Sequence, residues 1–269
     1  MPVKRKHSPL DYAFSVGKIR ALERFLIKPE AFEEAIESDF NEALRLFAES
    51  DLYSADILYI KDSQKLETVL NQELINLKKL VSGLLLDKEL LFFIDTDNLG
   101  SASEACRKFG SEFLNDYITH LIDMHNIKTF LRLYILEEPE EKLRRALTCE
   151  GFIKNKDFLK LYTQDLTALL NRLEYAHKGC RTIDYTYYIG EAVQKTVKEK
   201  SFAYLEKAVN DFLIQISKPA KYITFGPEPV IVYYLAKVNE INLIRMIILA
   251  KLNNIENTLV KERLNGVYA

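Results

Sequence analysis

The chain carries, near its end, the segment Val230-Ile-Val-Tyr-Tyr-Leu-Ala-Lys-Val-Asn-Glu-Ile-Asn-Leu-Ile-Arg245. It follows Gly226-Pro-Glu-Pro229, which favours a turn and then a helix start, because proline is well suited to the first helical turn. Apolar residues continue at helical spacing to about Leu252. The longest uninterrupted apolar run, Val230 to Ala236, is far shorter than the roughly 20 residues that a membrane span needs. The segment therefore predicts a long helix in a globular core.

The same helical periodicity recurs along nearly the whole chain. The clearest of the other helices is predicted from about Ser111 to Leu136. Pro139 then either stops this helix or starts the next one. Further helices are predicted at about residues 8–27, 38–48, 66–81, 158–176, 183–200 and 202–216. Alternation of apolar and polar residues is nowhere long enough to indicate a sheet, so the predicted fold class is all-α.

The composition is that of an ordinary globular chain and excludes bulk disorder. Of 269 residues, 48% are hydrophobic and 28% are charged, and only nine are glycine and seven proline. Lysines and arginines (37) almost balance aspartates and glutamates (39), and the net charge of −2 gives no reason to expect a nucleic-acid partner. Three widely spaced cysteines, Cys106, Cys149 and Cys180, do not form a disulfide framework.

A short pattern recurs three times when three arginines are aligned. The copies are Ala13–Arg20, His125–Arg132 and Val238–Arg245, and the arginines are separated by 112 and 113 residues. Asn126 and Asn239 stand six positions before their arginines, whereas the first copy has Phe14 there. The near-equal spacing predicts a threefold duplication of a helical unit of about 110 residues. The predicted units are residues 1–110, 111–225 and a partial third unit, 226–269.

Polar side chains on these apolar helices are the candidate structural residues. Arg245 lies beside an apolar stripe, and Glu240, five positions back, is about 140° around the helix and out of reach. A buried Arg245 must then pair with a carboxylate or carbonyl of another helix, and its replacement by alanine should destabilise the fold by about 3 kcal/mol. A functional anion site is the less favoured interpretation. The residues expected to fix helix packing are Arg20, Asn126, Arg132, Asn239, Glu240 and Arg245.

Sequence motifs that carry catalytic chemistry are weak or absent. His120, Asp123 and His125 are conceivable metal ligands or hydrolase groups. The two histidines, however, are five positions apart, whereas zinc-binding pairs on one helix face are four apart. The sequence contains no Gly-rich phosphate loop, Gly-x-Ser-x-Gly elbow or Cys-x-x-Cys pair. We therefore expect no catalytic centre, metal, cofactor or small-molecule substrate.

The C-terminal segment resembles a known family. Gly226-Pro-Glu-Pro229, the following Tyr-Leu helix and the pattern Lys-x-Asn-Glu-Ile-x-x-Ile-Arg, which ends at Arg245, are similar to the C-terminal signature of the C subunit of V/A-type rotary ATPases. The eukaryotic counterpart is called the d subunit. Two other places agree with the family, Tyr12–Arg20 with Glu23 and Arg24, and Asp123–Arg132. The resemblance is close over about residues 225–264 and moderate around 12–27 and 117–136.

The resemblance implies an all-α funnel of three pseudo-threefold-related helical units with a non-catalytic role. In that family the funnel is a central-stalk socket that receives the rotating shaft and sits on the membrane rotor ring. It thereby couples ATP hydrolysis or synthesis to proton or sodium transport. The implied partners are the shaft subunits and the ring subunits, and the implied place is peripheral, on the cytoplasmic side of the membrane.

Two departures from the family leave an alternative open. The chain is shorter than is usual for the family, and Phe14 replaces the asparagine of the other two copies. The alternative is a divergent paralogue that acts as a free-standing all-α protein-binding adaptor. An exposed apolar patch at the base of the funnel would favour docking on the ring, and its absence would favour the adaptor.

Overall fold

The computed structural model describes residues 7–50, 55–94, 99–178 and 181–269. These residues are predominantly helical, which confirms the all-α fold class. The α-helices in this part of the chain are α1 (Ala13–Leu22), α2 (Pro29–Glu37), α3 (Phe40–Ala48), α4 (Ser63–Leu84), α5 (Leu99–Phe109), α6 (Glu112–Ile135), α7 (Glu140–Ala146), α8 (Asn155–Tyr162), α9 (Leu166–Glu174), α10 (Glu191–Glu199), α11 (Ala203–Ser217), α12 (Glu228–Leu252) and α13 (Asn257–Arg263).

The described residues fall into two compact units, each with its own core. The first comprises residues 99–216, and the second comprises residues 7–94 together with 217–269. The core of the first unit includes the buried aromatic side chains of Phe130, Phe158 and Phe212. The second core surrounds α12, which contacts α1, α2, α3 and α4. The division into three repeat units stays a prediction.

The long C-terminal helix ends where it was predicted to end, but it begins at Glu228, before the end of the Gly226-Pro-Glu-Pro229 turn. α12 ends at Leu252, and most of its residues are apolar and buried, as expected of a helix against which other helices pack. Ile231, Ile244 and Ile248, for example, are completely buried. Among the described residues, no helix combines the length and the apolar character that crossing a bilayer requires.

The second long helix, α6, also agrees with the prediction to within one residue at each end. Ser111 is its N-cap, and the Ser111 hydroxyl accepts a hydrogen bond from the backbone N–H of Leu114 at 3.3 Å. After α6, Pro139 is the N-cap residue of α7. Of the two roles considered for this proline, the start of a new helix is therefore the one that the structure shows.

Two predicted helices are wrong in their bounds. The helix predicted at 158–176 is two helices, α8 and α9, because Asp165 caps a new helix by accepting from the Ala168 N–H at 2.9 Å. The helix predicted at 183–200 is a π-helical turn, Thr186–Gly190, followed by α10. α10 stops before Lys200, whose φ of 53° is left-handed.

A small hairpin was not predicted. Strands β1 (Ala176–Lys178) and β2 (Arg181–Ile183) are antiparallel, and Ala176 pairs with Ile183. Each strand has three residues, which is too short to produce a recognisable alternation of apolar and polar positions.

The helix α2 was also missed, although Pro29 stands at its first position, where proline is favoured.

Candidate functional site

Arg245 links α12 to α4. Its Nε donates to both carboxylate oxygens of Glu67, at 2.9 and 3.2 Å, and its Nη1 donates to Asn242 Oδ1 at 2.7 Å. The side chains of Arg245 and Glu67 remain 27% and 41% exposed. The carboxylate that Arg245 needed is thus on another helix, but the pair is partly solvated. A loss of about 3 kcal/mol in the free energy of unfolding was expected of Arg245→Ala only if the charge were buried. Because the pair is partly solvated, we expect a loss near about 1 kcal/mol instead.

The two asparagines of the repeat hold backbone segments in similar ways. Asn126 is completely buried, accepts from the Thr148 N–H and donates to the Cys149 carbonyl, both at 3.1 Å. Asn239 donates to the Gly266 carbonyl at 3.1 Å and accepts from the Asn265 side chain at 2.8 Å. Each held segment follows the short helix that comes after the long one, α7 in one case and α13 in the other.

The other two repeat arginines have partners of different kinds. Arg20 forms an ion pair with Glu23 at 2.7 Å and donates to the carbonyls of Ala220 (2.7 Å) and Ile223 (3.0 Å). Arg20 therefore fastens the end of α1 to the segment that precedes α12. Arg132 in α6 lies 3.3 Å from Glu206 in α11, but its side chain is 58% exposed.

Glu240, predicted only as a packing residue, belongs to a buried ion pair with Lys237 that was not predicted. Glu240 and Lys237 are 2% and 4% exposed, and the Lys237 amino group contacts the Glu240 carboxylate. Glu240 Oε1 also accepts from the backbone N–H of Ile27 at 2.7 Å. Burial lowers the pKa of Lys237, and the Glu240 carboxylate opposes that shift. The missed signal was the three-residue spacing of two opposite charges on an apolar helix.

His120 and Asp123 both contact the Tyr185 hydroxyl, whereas His125 does not join them. Tyr185 lies between the first two, donating its hydroxyl to Asp123 Oδ2 at 2.7 Å and standing 2.9 Å from His120 Nδ1. His125 is exposed. Burial lowers the pKa of His120 to about 4, and burial together with Asp123 raises the pKa of Tyr185. Within the described ranges, no group of three His, Cys, Asp or Glu residues could hold a metal ion.

The Asp123 carboxylate instead organises the backbone after α7. Asp123 is fully buried and accepts from the backbone N–H groups of Phe152 at 2.8 Å and Ile153 at 3.1 Å. A Cβ at Gly151 would lie 2.2 Å from Asp123 Oδ1, so only glycine fits there without displacing the carboxylate. The sequence contained no local signal for this role, because the partners lie 29 and 30 residues away.

One face of α1 and of the turn before it exposes apolar side chains. Leu10 and Phe14 are one helical turn apart and are 63% and 78% exposed, and Ala21, two turns further, is also exposed. We call these three residues the α1 apolar face. Phe14 is the residue at which the first repeat copy departs from the other two.

The six candidate structural residues therefore form no single catalytic cluster. Asn126 and Arg132 belong to the unit of residues 99–216, and the other four belong to the second unit. Each has identified partners of its own that connect helices or hold loop backbone. That they set the packing register stays a prediction.

A comparison with models of protein families matches residues 92–263 to the ATP synthase (C/AC39) subunit. The match covers 172 of the 269 residues. The chain belongs to the ATP synthase (C/AC39) subunit family. Among curated proteins, no sequence matches the chain significantly. The match includes five of the six candidate structural residues and leaves out Arg20.

Membership of the C/AC39 family confirms the resemblance to the C subunit of V/A-type ATPases. The family is one of accessory, non-catalytic ATPase subunits, and a part in ion transport follows from it. The chain is accordingly one of the subunits of a V/A-type ATPase.

Proposed function

We propose that this member of the C/AC39 family is the central-stalk socket of a V/A-type ATPase or ATP synthase. It would couple the rotating shaft to the membrane rotor ring, and so ATP hydrolysis or synthesis to proton or sodium transport. Its partners would be the shaft and ring subunits, and its place the cytoplasmic side of the membrane, as a peripheral protein. The family match over residues 92–263 carries this proposal.

The internal contacts are consistent with a part that transmits torque. Such a part must resist deformation, and residues far apart in the sequence are tied together by polar contacts in both units. Arg245 holds Glu67 across 178 positions, and Glu240 holds the backbone of Ile27 across 213. In the other unit, Lys128 in α6 contacts Glu206 in α11 at 2.9 Å.

The α1 apolar face is the candidate for one of the two contacts with partner proteins. Large exposed apolar side chains on neighbouring helical turns are typical of surfaces that bind another protein. Leu10 and Phe14 meet this description.

Co-purification tests the socket. The tagged protein would be isolated from detergent-solubilised membranes of its own host, and the shaft and ring subunits retained with it would be quantified by mass spectrometry. Stoichiometric retention of both is the expected result. Recovery of other partners, in cells whose rotary ATPase is assembled without this protein, would overturn the socket in favour of the adaptor.

A matched pair of variants tests the α1 apolar face in the same experiment. Phe14→Asp should reduce the amount of either the shaft or the ring subunits that co-purifies by at least about tenfold, because it places a charge in an apolar contact. Tyr187→Asp is the control, since Tyr187 is 80% exposed and lies in the other unit. If both variants retain both partners, the α1 apolar face is not an interface, whereas the wild-type result still decides the socket.

A further inference from the structure

A cavity of about 650 Å³ lies in the unit of residues 99–216, beside the start of α8. This volume falls within the range of about 300–1,000 Å³ that is typical of small-molecule sites. Its ionisable lining residues are Glu150, Lys154, Lys156, Asp157, Arg172 and His177. None of them belongs to the contacts discussed for the rotor role.

The negative charges of the lining are already engaged. Asp157 Oδ2 accepts from Arg172 Nη2 at 3.0 Å and from its Nε at 3.3 Å. Glu150 Oε1 accepts from the backbone N–H of Asn155 at 3.3 Å. The carboxylates therefore have partners within the protein, and the Arg172 charge is balanced by Asp157.

The two lysines of the lining are not engaged in this way. Lys154 and Lys156 are exposed, and within the described residues neither ammonium group has an ion pair or a hydrogen bond. Three cations and two carboxylates leave the lining with a net charge of +1, with His177 counted as neutral. The two lysines carry +2, the Arg172–Asp157 pair carries no net charge, and the Glu150 carboxylate, whose partner is a neutral backbone N–H, offsets one lysine charge.

The backbone segment just before Lys154 is fixed by hydrogen bonds to a buried side chain. Asp123 fixes the backbone N–H groups of Phe152 and Ile153, and Gly151 permits the close approach of the carboxylate. A wall that is fixed before a ligand arrives reduces the entropy lost on binding.

We propose that this cavity binds a phosphate-bearing small molecule in solution, with Lys154 and Lys156 as the groups that contact the phosphate. Lysine is a common phosphate-binding residue because its ammonium group is a compact charge with three donors. The cavity has room for a ligand larger than a lone phosphate ion. This binding function is separate from the transmission of torque and does not depend on it.

Isothermal titration calorimetry of the full chain with inorganic pyrophosphate, at neutral pH and low ionic strength, tests the proposal. The double variant Lys154→Gln, Lys156→Gln should bind at least about tenfold more weakly than the wild type. The control Lys160→Gln, Lys198→Gln removes the same charge from exposed positions outside the lining and should stay within about twofold. Circular dichroism verifies that both variants fold.

Absence of saturable binding to the wild type, or equal weakening by the control, would overturn the proposal. A second arm distinguishes a phosphate in solution from a lipid headgroup, by sedimentation with vesicles containing an anionic phospholipid or phosphatidylcholine alone. A soluble ligand predicts that the lining variant and the control sediment equally. If the lining variant loses vesicle binding while the wild type does not bind pyrophosphate, the assignment to a soluble ligand is wrong.

Discussion

Replacement of Asp123 by alanine should strongly destabilise the unit of residues 99–216. The fully buried carboxylate accepts hydrogen bonds from the N–H groups of Phe152 and Ile153 and from the Tyr185 hydroxyl. Each donor left unpaired in the interior costs about 1–3 kcal/mol. Release of the carboxylate from its buried position offsets part of that cost, so we expect a loss of about 4 kcal/mol in the free energy of unfolding at pH 7.

Urea denaturation followed by circular dichroism measures this loss, and two variants calibrate it. Asp123→Asn keeps one acceptor oxygen and should lose about half as much. Glu141→Ala removes an exposed partner of Arg144 and Arg145 and should lose no more than about 0.5 kcal/mol. The role given to this carboxylate would be refuted if Asp123→Ala lost less than about 1 kcal/mol in the free energy of unfolding while the slope of that free energy against urea concentration stayed unchanged.

Three further predictions concern single charges. Because burial lowers the pKa of His120 from 6.5 to about 4, the unfolded chain takes up this proton at higher pH than the folded chain. Acidification from pH 6.5 to 4 should therefore lower the free energy of unfolding of the wild type by up to about 3 kcal/mol. The variant His120→Gln should not show this loss. Arg245→Ala should lower the free energy of unfolding by about 1 kcal/mol, because its pair with Glu67 is partly exposed. Lys237→Met should cost about 3 kcal/mol or more, because it leaves the Glu240 carboxylate buried without its lysine.

Each of these predictions has its own contrary result. The wild type is the reference for His120→Gln, and an equal loss of stability in both proteins between pH 6.5 and 4 would contradict the linkage. A loss near 3 kcal/mol for Arg245→Ala would mean that its pair behaves as a buried one. Lys160→Met, on an exposed face of α8, should be nearly neutral, and an equally small effect of Lys237→Met would argue against the buried pair.

The helices could be read from the sequence where the pattern was long and local. The apolar repeat and the flanking residues placed α6 and α12 almost correctly, because the hydrogen bonds and end caps of a helix join residues a few positions apart. The break between α8 and α9 also has a local cause, the Asp165 cap, and was missed because the apolar periodicity runs across it. The family resemblance of the C-terminal helix was likewise available from the residues alone.

The partners of the polar residues could not be read in this way. Periodicity indicated that Arg245 needs a carboxylate from another helix, but Glu67 is 178 positions away. Nothing local joins Tyr185 to Asp123, 62 positions apart, or brings Lys154 and His177 to one cavity. Local sequence sets helix formation, because its hydrogen bonds close within one turn. The choice of partner and the shape of a cavity arise only when the helices pack, since they depend on contacts between distant parts of the chain.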